Sequence, residues 1–417
     1  MADVVRQTAL SLLKQVLHKN QTIDDAFDNA LKTVSLDKRD KAFLRQLTAT
    51  TVRRIGQIDA LINKALSKPL PTRGQTAMDI LRLGTAQLMF LKTPPHAAIN
   101  TSVDLAKAVG QDFYAGLING VLRTLTRAGK HWFSKQDAAR LNTPEWLWHA
   151  WCDAYGPDKT RAIALADLTE PTFDITVKSH PEKWAQALGG FVTPTGSVRV
   201  LSLYHPQTMP GFADGSWWVQ DSGASLAVQT FDDLTGKKTA DFCAAPGGKT
   251  AQLITRGAIV DAFDISKNRM KRVEENLKRL HLSANLIVAD ASEYPGQALY
   301  DAILIDAPCS ATGTIRRHPE LLLHRTQQDV LNLTRTQHAL LCAAHRLLKP
   351  NGELVYCTCS LQRDEGEDRI RAVADLFDVR PISSPFATPD GFIRTFPDQD
   401  MDGFFIAHLR KKEEKCP

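Results

Sequence analysis

The sequence predicts an α/β protein with a doubly wound sheet domain, an all-α domain before it and a small α+β connector between the two. Residues 1–140 repeat apolar positions at helical spacing, residues 141–235 mix helical and strand patterns, and residues 236–417 alternate strands with helices. With 417 residues, 43% of them hydrophobic, the chain can bury several cores. We therefore expect three domains with these boundaries.

Helical periodicity runs through the first 140 residues. Apolar side chains recur at intervals of three and four in Ala9-Leu12-Leu13-Val16-Leu17, Ile58-Leu61-Ile62-Ala65 and Val103-Leu105-Ala106-Val109. Pro69-Leu70-Pro71 and Thr93-Pro94-Pro95 interrupt the pattern, because proline lacks the amide donor and disfavours helical geometry in the preceding residue. An all-α bundle is the expected result.

Charge is distributed unevenly along the chain. The whole sequence carries a formal net charge of +5, but residues 1–140 contain 21 Lys and Arg against 11 Asp and no Glu, a net charge of +10. The remaining residues carry 30 basic and 35 acidic side chains, a net charge of −5. The basic excess in the first domain favours a polyanionic partner for that domain.

Cysteine usage is unlike that of a disulfide framework. The seven cysteines are Cys152, Cys243, Cys309, Cys342, Cys357, Cys359 and Cys416. Their odd number and their concentration after residue 240 predict reduced thiols, and Cys152 and Cys342 are expected to be buried packing residues. The paired Cys-x-x-Cys or His spacing of a zinc site is absent from the sequence, so no metal is expected.

Hydropathy gives no sign of a membrane segment. No apolar run approaches the roughly 18 to 20 residues that a membrane helix needs. The first residues place an acid and a base where a signal peptide would begin its apolar core. We expect a cytoplasmic protein, a monomer, with no membrane partner.

Residues 141–235 are expected to form the α+β connector. Trp146, Trp148 and Trp151 suggest a packed helix, and residues 173–177 alternate like a half-buried strand. Pro and Gly punctuate the rest of this segment.

Strand and helix patterns alternate from residue 236 onward. The candidate strands are residues 239–242, 259–263, 285–288, 302–305 and 353–357, and residues 267–280 are one candidate crossover helix. Repeated β-α units imply a mostly parallel sheet with helices on both faces, a Rossmann-like arrangement.

The first of these strands leads into a glycine-rich turn. The turn reads Cys243-Ala244-Ala245-Pro246-Gly247-Gly248-Lys249-Thr250. Such a turn lets backbone N–H groups approach a ligand at the N-terminus of the next helix. A P-loop needs a glycine where Cys243 stands, and the Gly-x-Gly-x-x-Gly pattern of nicotinamide sites is absent from this turn. A nucleoside-like cofactor is the remaining interpretation.

Acidic residues end the second and third strands. Asp264 lies 21 residues after Cys243, where such folds place the acceptor for ribose hydroxyls. Asp290 ends the third strand, and its carboxylate could accept a hydrogen bond from an adenine amino group. Each acid alone also fits a helix cap or turn, but together, at successive strand ends, they favour adenosine.

Two thiols and an acid follow the fourth and fifth strands. The fourth strand ends in Asp306-Ala307-Pro308-Cys309-Ser310, and the fifth ends in Cys357-Thr358-Cys359-Ser360. Doubly wound folds keep their sites at the carboxyl ends of the strands. Thiols beside an acid and an adenosine site suggest covalent catalysis, with the order in which the cysteines act left open.

These motifs resemble those of RNA cytosine-5 methyltransferases. The match comprises residues 243–250, Asp-Ala-Pro-Cys-Ser-x-x-Gly-Thr at 306–314 and Thr-Cys-Ser at 358–360, and it spans the C-terminal domain. In the first domain, residues 95–100 and 118–123 resemble the helical RNA-binding fold of NusB. The pairing is typical of enzymes that methylate small-subunit (16S) ribosomal RNA.

The resemblance implies S-adenosylmethionine (SAM) as cofactor and ribosomal RNA as substrate. It assigns SAM binding to Cys243, Ala244, Ala245, Pro246, Gly247, Gly248 and Lys249. It places Asp264 on the ribose, Asp290 near the adenine, and Asp306 near the amino acid end of SAM or the target base. It also implies Cys359 as the nucleophile that adds to the cytosine ring and Cys309 as the thiol that assists release.

Two basic segments are expected to contact RNA phosphates. Many members of the family carry Arg-Val-Asn after the connector strand; here Lys178 stands in that region and is expected to serve instead. Arg316-Arg317-His318-Pro319 is also expected to touch phosphate, with a surface salt-bridge cluster as the alternative.

Two other functions fit parts of the sequence. A DNA cytosine-5 methyltransferase would use the Pro-Cys thiol as nucleophile, but its usual Glu-Asn-Val segment is absent from the sequence. A non-catalytic NusB-like RNA-binding or antitermination factor would leave the coincidence of Asp306, Cys309 and Cys359 unexplained.

Overall fold

The computed structural model describes residues 3–201 and 205–412, which divide into two compact units. The first unit comprises the described residues up to Thr169 together with Ile315–His324. The second comprises Glu170–Thr314 together with the described residues from Arg325 onward. Residues 170–235 thus group with the sheet domain, and the division into three domains stays a prediction.

The described residues form helices throughout the first unit, and strands and helices in the second. The helices are α1 (Val4–Lys19), α2 (Ile23–Leu31), α3 (Lys38–Arg53), α4 (Ile55–Ala65), α5 (Gln75–Met89), α6 (Pro95–Ala108), α7 (Asp112–Phe133), α8 (Ala138–Asn142), α9 (Glu145–Tyr155), α10 (Pro157–Ala166), α11 (Pro181–Ala187), α12 (Ser222–Gln229), α13 (Gly248–Thr255), α14 (Lys267–Arg279), α15 (Leu321–His324), α16 (Gln327–Leu347) and α17 (Glu367–Arg371). The strands are β1 (Phe173–Val177), β2 (Gly190–Val192), β3 (Val198–Val200), β4 (Trp217–Val219), β5 (Lys238–Phe242), β6 (Ile259–Asp264), β7 (Asn285–Val288), β8 (Tyr300–Asp306), β9 (Leu348–Thr358), β10 (Phe377–Val379), β11 (Ile393–Arg394) and β12 (Phe405–Lys411).

Amphipathic helices of the first unit pack around one apolar core. Its fully buried side chains include Leu12, Leu13, Leu44, Leu47 and Ile80. Burying each such side chain contributes about 1.5–3 kcal/mol relative to leaving it exposed. The prolines predicted to interrupt the helical pattern lie between α4 and α5 and at the start of α6. The predicted all-α architecture of this segment is confirmed.

The segment Ile315–His324 belongs to this helical unit, although the chain reaches it directly from the Cys309 turn. Ile23 N–H donates to Glu320 Oε1 at 3.2 Å, and His324 Nε2 donates to the Val16 carbonyl at 2.8 Å. Arg316 is only 1% exposed. The predicted phosphate contact is therefore wrong for Arg316, because its guanidinium is buried away from solvent.

A small antiparallel sheet opens the second unit, in the order β2-β3-β1-β4. The strand predicted at residues 173–177 is its third member and coincides with β1. Asp174 in β1 is buried and forms a bidentate pair with Arg199 of β3, at 2.7 and 2.9 Å. Lys178, which follows β1, donates to the carbonyl oxygen of Leu280.

The large sheet of the second unit has the order β10-β12-β9-β8-β5-β6-β7, with β11 paired to β12. Strands β5 to β9 pair in parallel, and each of the five predicted strands lies within one of them. Strands β10, β11 and β12 are antiparallel additions at one edge, which the sequence patterns did not predict. The predicted doubly wound α/β class is confirmed, as a mixed sheet.

No helix among residues 3–201 and 205–412 combines the length and the apolar character needed to cross a membrane.

Candidate active site

A glycine-rich turn joins β5 to α13 at the carboxyl edge of the parallel strands. Gly247 adopts φ of 99°, a left-handed conformation that residues with a side chain rarely take. Helix α13 begins at Gly248, and no side chain of residues 3–201 and 205–412 caps its first N–H groups. These N–H groups therefore remain available to a polar ligand.

Two side chains of helix α14 donate hydrogen bonds to carbonyl groups of this turn. Asn276 Nδ2 donates to the Pro246 carbonyl at 2.8 Å, and Arg269 Nη2 donates to the Ala245 carbonyl at 3.2 Å. The shape of the turn is thus fixed by a helix outside it.

Asp264 ends β6 with a buried carboxylate that is 3% exposed. Its Oδ1 accepts from Ser266 N–H at 2.9 Å. Its Oδ2 lies 3.3 Å from Arg269 Nη2, but accepts no hydrogen bond from the part of the chain that is described. A buried carboxylate oxygen that accepts no hydrogen bond from the described residues can accept one from a hydroxyl of a ligand. Asp290, two residues past β7, is exposed and accepts from the N–H and hydroxyl of Ser292 at 2.8 and 2.7 Å.

Lys249 of α13 and Asp306, the last residue of β8, form an ion pair at the sheet edge. Lys249 Nζ lies 2.7 Å from Asp306 Oδ2, and the lysine is only 9% exposed. Burial is the largest influence on the pKa of Lys249 and lowers it, but the charge and hydrogen bond of Asp306, together with the neighbouring Cys357 and Cys359, outweigh burial and raise that pKa above its usual value. The second oxygen of Asp306 accepts from the Cys357 thiol at 3.4 Å. Lys249 therefore stays charged at neutral pH and fixes the Asp306 carboxylate.

Strands β8 and β9 bring the two predicted thiols together. They are parallel neighbours, with Asp306 opposite Cys357. The turns after these strands place Cys309 Sγ 3.4 Å from Cys359 Sγ. The hydrogen bond with Cys359, together with burial, raises the pKa of Cys309 well above that of an ordinary thiol. Cys309 is thus a neutral thiol at neutral pH.

The other described cysteines are also free thiols, as the sequence predicted. Burial raises the pKa of Cys357, and it raises the pKa of Cys243 to about 12. Cys342 is exposed on α16, so the packing role predicted for it is wrong, whereas Cys152 is half-buried. Cys416 lies outside the described residues. Within residues 3–201 and 205–412, no three His, Cys, Asp or Glu side chains are grouped to hold a metal ion.

A buried carboxylate beside the thiols was not predicted from the sequence. Glu365 is 0% exposed and accepts hydrogen bonds from Ser310 and Ser360, the residues that follow the two cysteines. The only sequence signal was an acid six residues after Cys359, in a segment without strand or helix periodicity.

Family models match both parts of the chain. The model described as 16S rRNA methyltransferase RsmB/F matches residues 228–410, and the NusB family model matches residues 3–127. The chain is 34% identical to Ribosomal RNA small subunit methyltransferase B of Cronobacter sakazakii, with 98% of this chain and 99% of that protein covered. The chain belongs to the ribosomal RNA small subunit methyltransferase B family. The protein of the same name from Salmonella newport is also 34% identical, with the same coverage.

Solved structures share the fold. PH0851 superimposes with a TM-score of 0.77 at 23% identity, over 97% of this chain and 98% of that one. NSun6 from Pyrococcus horikoshii, crystallised with SFG, gives a TM-score of 0.58 at 22% identity, over 65% of this chain and 99% of that one. As a member of the family, the protein is a SAM-dependent methyltransferase, which confirms the predicted resemblance, cofactor and fold class. The roles assigned to individual residues stay predictions.

Asp241, in β5 behind the turn, makes a pH-dependent contribution to stability. Its Oδ2 accepts from Thr250 Oγ at 2.6 Å, and burial is the main cause that raises its pKa to about 7. The native protein therefore binds this proton more tightly than the unfolded chain, where the pKa is 3.8. The stability from this group is fully present below the unfolded pKa and is lost as pH rises to about 7.

We expect the substitution Asp241→Asn to gain stability relative to the parent protein as pH rises from about 5 to about 7, by at most about 1.4 kcal/mol per pH unit. Urea unfolding at each pH measures the difference. The exposed Asp214→Asn serves as control and should show a constant difference. A constant difference for Asp241→Asn as well would show that Asp241 is ionised in the native protein.

Proposed function

We propose that this protein methylates carbon 5 of a cytosine in small-subunit ribosomal RNA, with Cys359 as covalent nucleophile. The observation that carries the proposal is the pair of thiols, with sulfur atoms 3.4 Å apart, at the same sheet edge as Asp306 and Lys249. One thiol suffices for a simple nucleophilic attack. Two thiols beside one acid suit a reaction in which one group adds to a ring and a second assists its departure.

The turn and the neighbouring acids would hold SAM. Residues 243–249 supply backbone groups at the start of α13, and the buried Oδ2 of Asp264 suits a ribose hydroxyl. Asp290 would lie near the adenine, where its exposed carboxylate could accept from the amino group. When bound, SAM supplies an electrophilic methyl group on its sulfonium.

Carbon 5 of cytosine is too weak a nucleophile to take a methyl group directly. Addition of the Cys359 thiolate forms a bond from sulfur to carbon 6 and breaks the double bond between carbons 5 and 6, so that carbon 5 becomes nucleophilic. Negative charge then builds on the ring, and the Asp306–Lys249 pair would protonate the ring at N3. The Lys249 ammonium would give a proton to the Asp306 carboxylate, and Asp306 would pass that proton to N3.

The environments of the thiols support this division of roles. The raised pKa of Cys309 keeps it neutral, and a neutral thiol is a poor nucleophile. The attack is assigned to Cys359, as the resemblance to RNA cytosine-5 methyltransferases implies. After methyl transfer, carbon 5 still carries a proton. A water that Cys309 positions, or the Cys309 thiolate once Cys309 has lost its own proton to water, would remove it. The bond from sulfur to carbon 6 then breaks, Cys359 leaves as a thiolate, and N3 gives its proton back to Asp306.

Ribosomal RNA as substrate rests on the relatives and on charge. The family model and both relatives are described as small-subunit ribosomal RNA methyltransferases. The first 140 residues carry +10, as a domain that binds RNA phosphates requires. We further infer a monomeric, metal-free cytoplasmic enzyme with a helical RNA-binding domain (residues 1–140), a connector (residues 141–235) and a catalytic domain (residues 236–417).

Substitution Asp264→Ala is expected to weaken SAM binding about tenfold or more, because a hydrogen bond to a buried carboxylate contributes about 1.5–3 kcal/mol. Isothermal titration calorimetry measures the affinity. Asp261→Ala, three residues earlier on β6 and bonded to Tyr300 and Asn285, is the control and should bind SAM like the parent protein. If Asp264→Ala bound SAM as tightly as the parent protein and Asp261→Ala do, Asp264 would not be a SAM-binding residue.

Substitution of each cysteine should stop methyl transfer at a different step. Cys359→Ala should abolish methyl transfer to RNA, because no adduct forms. Cys309→Ala should accumulate an adduct between protein and RNA in the presence of SAM, detected as a band that persists on denaturing gels. The exposed Cys342→Ala is the control and should behave like the parent protein. An adduct trapped by the Cys359 variant instead would reverse the two roles.

Bisulfite sequencing of ribosomal RNA tests the substrate. Cells lacking this protein should lose methylation at one cytosine of small-subunit RNA. A copy of the parent gene should restore it, and a copy carrying Cys359→Ala should not. An unchanged methylation pattern in the deleted strain would refute the proposed substrate.

A further inference from the structure

Glu365 connects the two cysteine turns through its side chain. Its Oε1 accepts from the Ser310 backbone N–H at 2.9 Å, and its Oε2 accepts from the Ser310 and Ser360 hydroxyls at 2.5 and 2.6 Å. Ser310 follows Cys309, and Ser360 follows Cys359. One carboxylate thus bonds to the neighbour of each thiol.

The contacts of the Glu365 carboxylate suit a group that only accepts hydrogen bonds. A fourth donor, Gln337 Nε2 of α16, reaches Oε1 at 3.1 Å and also donates to the Pro308 carbonyl at 2.9 Å. An ionised carboxylate accepts all four hydrogen bonds, whereas a neutral amide would accept only at its oxygen and would donate from its NH2 group to the serine hydroxyls, which would then have to accept. Hydrogen bonds to a charged acceptor are also shorter and stronger than neutral ones.

The backbone of Glu365 is anchored as firmly as its side chain. Its carbonyl accepts from Tyr356 Oη at 2.9 Å and from Thr358 Oγ at 3.4 Å, both in β9. The position of the carboxylate is therefore set by the strand that leads to Cys359. The residue is 0% exposed, so water does not compete for its contacts.

We propose that Glu365 is a positioning residue. It holds the Cys309 and Cys359 thiols at the separation that successive steps on one base need. The proposal rests on the cytosine methylation proposed above, in which the thiols act at adjacent ring carbons. Without the carboxylate, the donors of Ser310 and Ser360 lose their common acceptor and the two turns can separate. A shift of about 1 Å in a reacting group can lower a rate about 100-fold.

The test compares Glu365→Ala and Glu365→Gln with matched variants of Glu353. Like Glu365, Glu353 has a buried carboxylate. It lies in β9, and its partners are Lys237, Asp232 and His408. Two properties are measured: kcat and KM for methyl transfer, and the rate at which diamide forms the Cys309–Cys359 disulfide, followed by mass spectrometry of the linked peptides. The second measurement needs neither RNA nor SAM, so it stands even if the proposed reaction is wrong.

Glu365→Ala should lower kcat by about 100-fold and slow disulfide formation at least about tenfold, with KM for SAM little changed. Glu365→Gln should retain more of both rates, because its amide oxygen still accepts from Ser310 N–H. The Glu353 variants should keep both rates. Parent-like kcat and cross-linking in Glu365→Ala would overturn the proposal, as would equal losses in the Glu353 variants.

A second variant tests the proposal independently, in case Glu365→Ala does not fold. The double substitution Ser310→Ala with Ser360→Ala removes two donors, keeps the carboxylate and adds no volume. It should reproduce the loss of kcat and the slower cross-linking in a protein that stays folded at the assay temperature, as judged by circular dichroism, although the loss of two donors to a buried carboxylate lowers the Tm. Parent-like values for both rates in this double variant would contradict a positioning role. If instead the parent protein transferred no methyl group to any ribosomal RNA, only the proposed function would be refuted.

Discussion

The parallel pairing of β8 with β9 is the constraint on which the rest of the site depends. The register that sets Asp306 opposite Cys357 also sets which residues of the following turns face each other. Because side chains alternate between the faces of a sheet, a slip of one residue would move Asp306 or Cys357 to the wrong face and part the thiols. Gly313 N–H, which donates to the Cys359 carbonyl at 2.9 Å, carries this pairing into the turns.

Acidic side chains cluster around this edge. Asp241, Asp264 and Asp306 lie close enough for the charges of the last two to raise the pKa of the first, while Lys249 pairs with Asp306 and Arg269 lies 3.3 Å from Asp264. Repulsion among buried acids costs stability, and Asp241 relieves it by binding a proton. In the proposed function, the carboxylates of Asp264 and Asp306 would also attract the positive sulfonium of SAM.

The parallel core could be predicted from the sequence, because each strand there is a short apolar run that ends in a turn motif. Strands β10 to β12 were missed because they add antiparallel to an existing edge without an intervening helical pattern. Arg316 reads as a basic surface residue, but it is buried, and its carbonyl accepts a hydrogen bond from Arg53, which lies 263 residues earlier. Glu365 was missed for a similar reason: its partners Ser310 and Gln337 are distant in sequence.

The thiol pair also orders the steps of the proposed reaction. The hydrogen bond and charge of Cys359 are among the causes that raise the pKa of Cys309, so Cys309 holds its proton while Cys359 is unreacted. Once Cys359 is bonded to carbon 6, its sulfur is neither a charge nor a strong acceptor, and that part of the shift disappears. Cys309 then loses its proton more readily, at the stage when carbon 5 needs a base. A single contact of 3.4 Å would thus keep the second thiol inactive until the first has reacted.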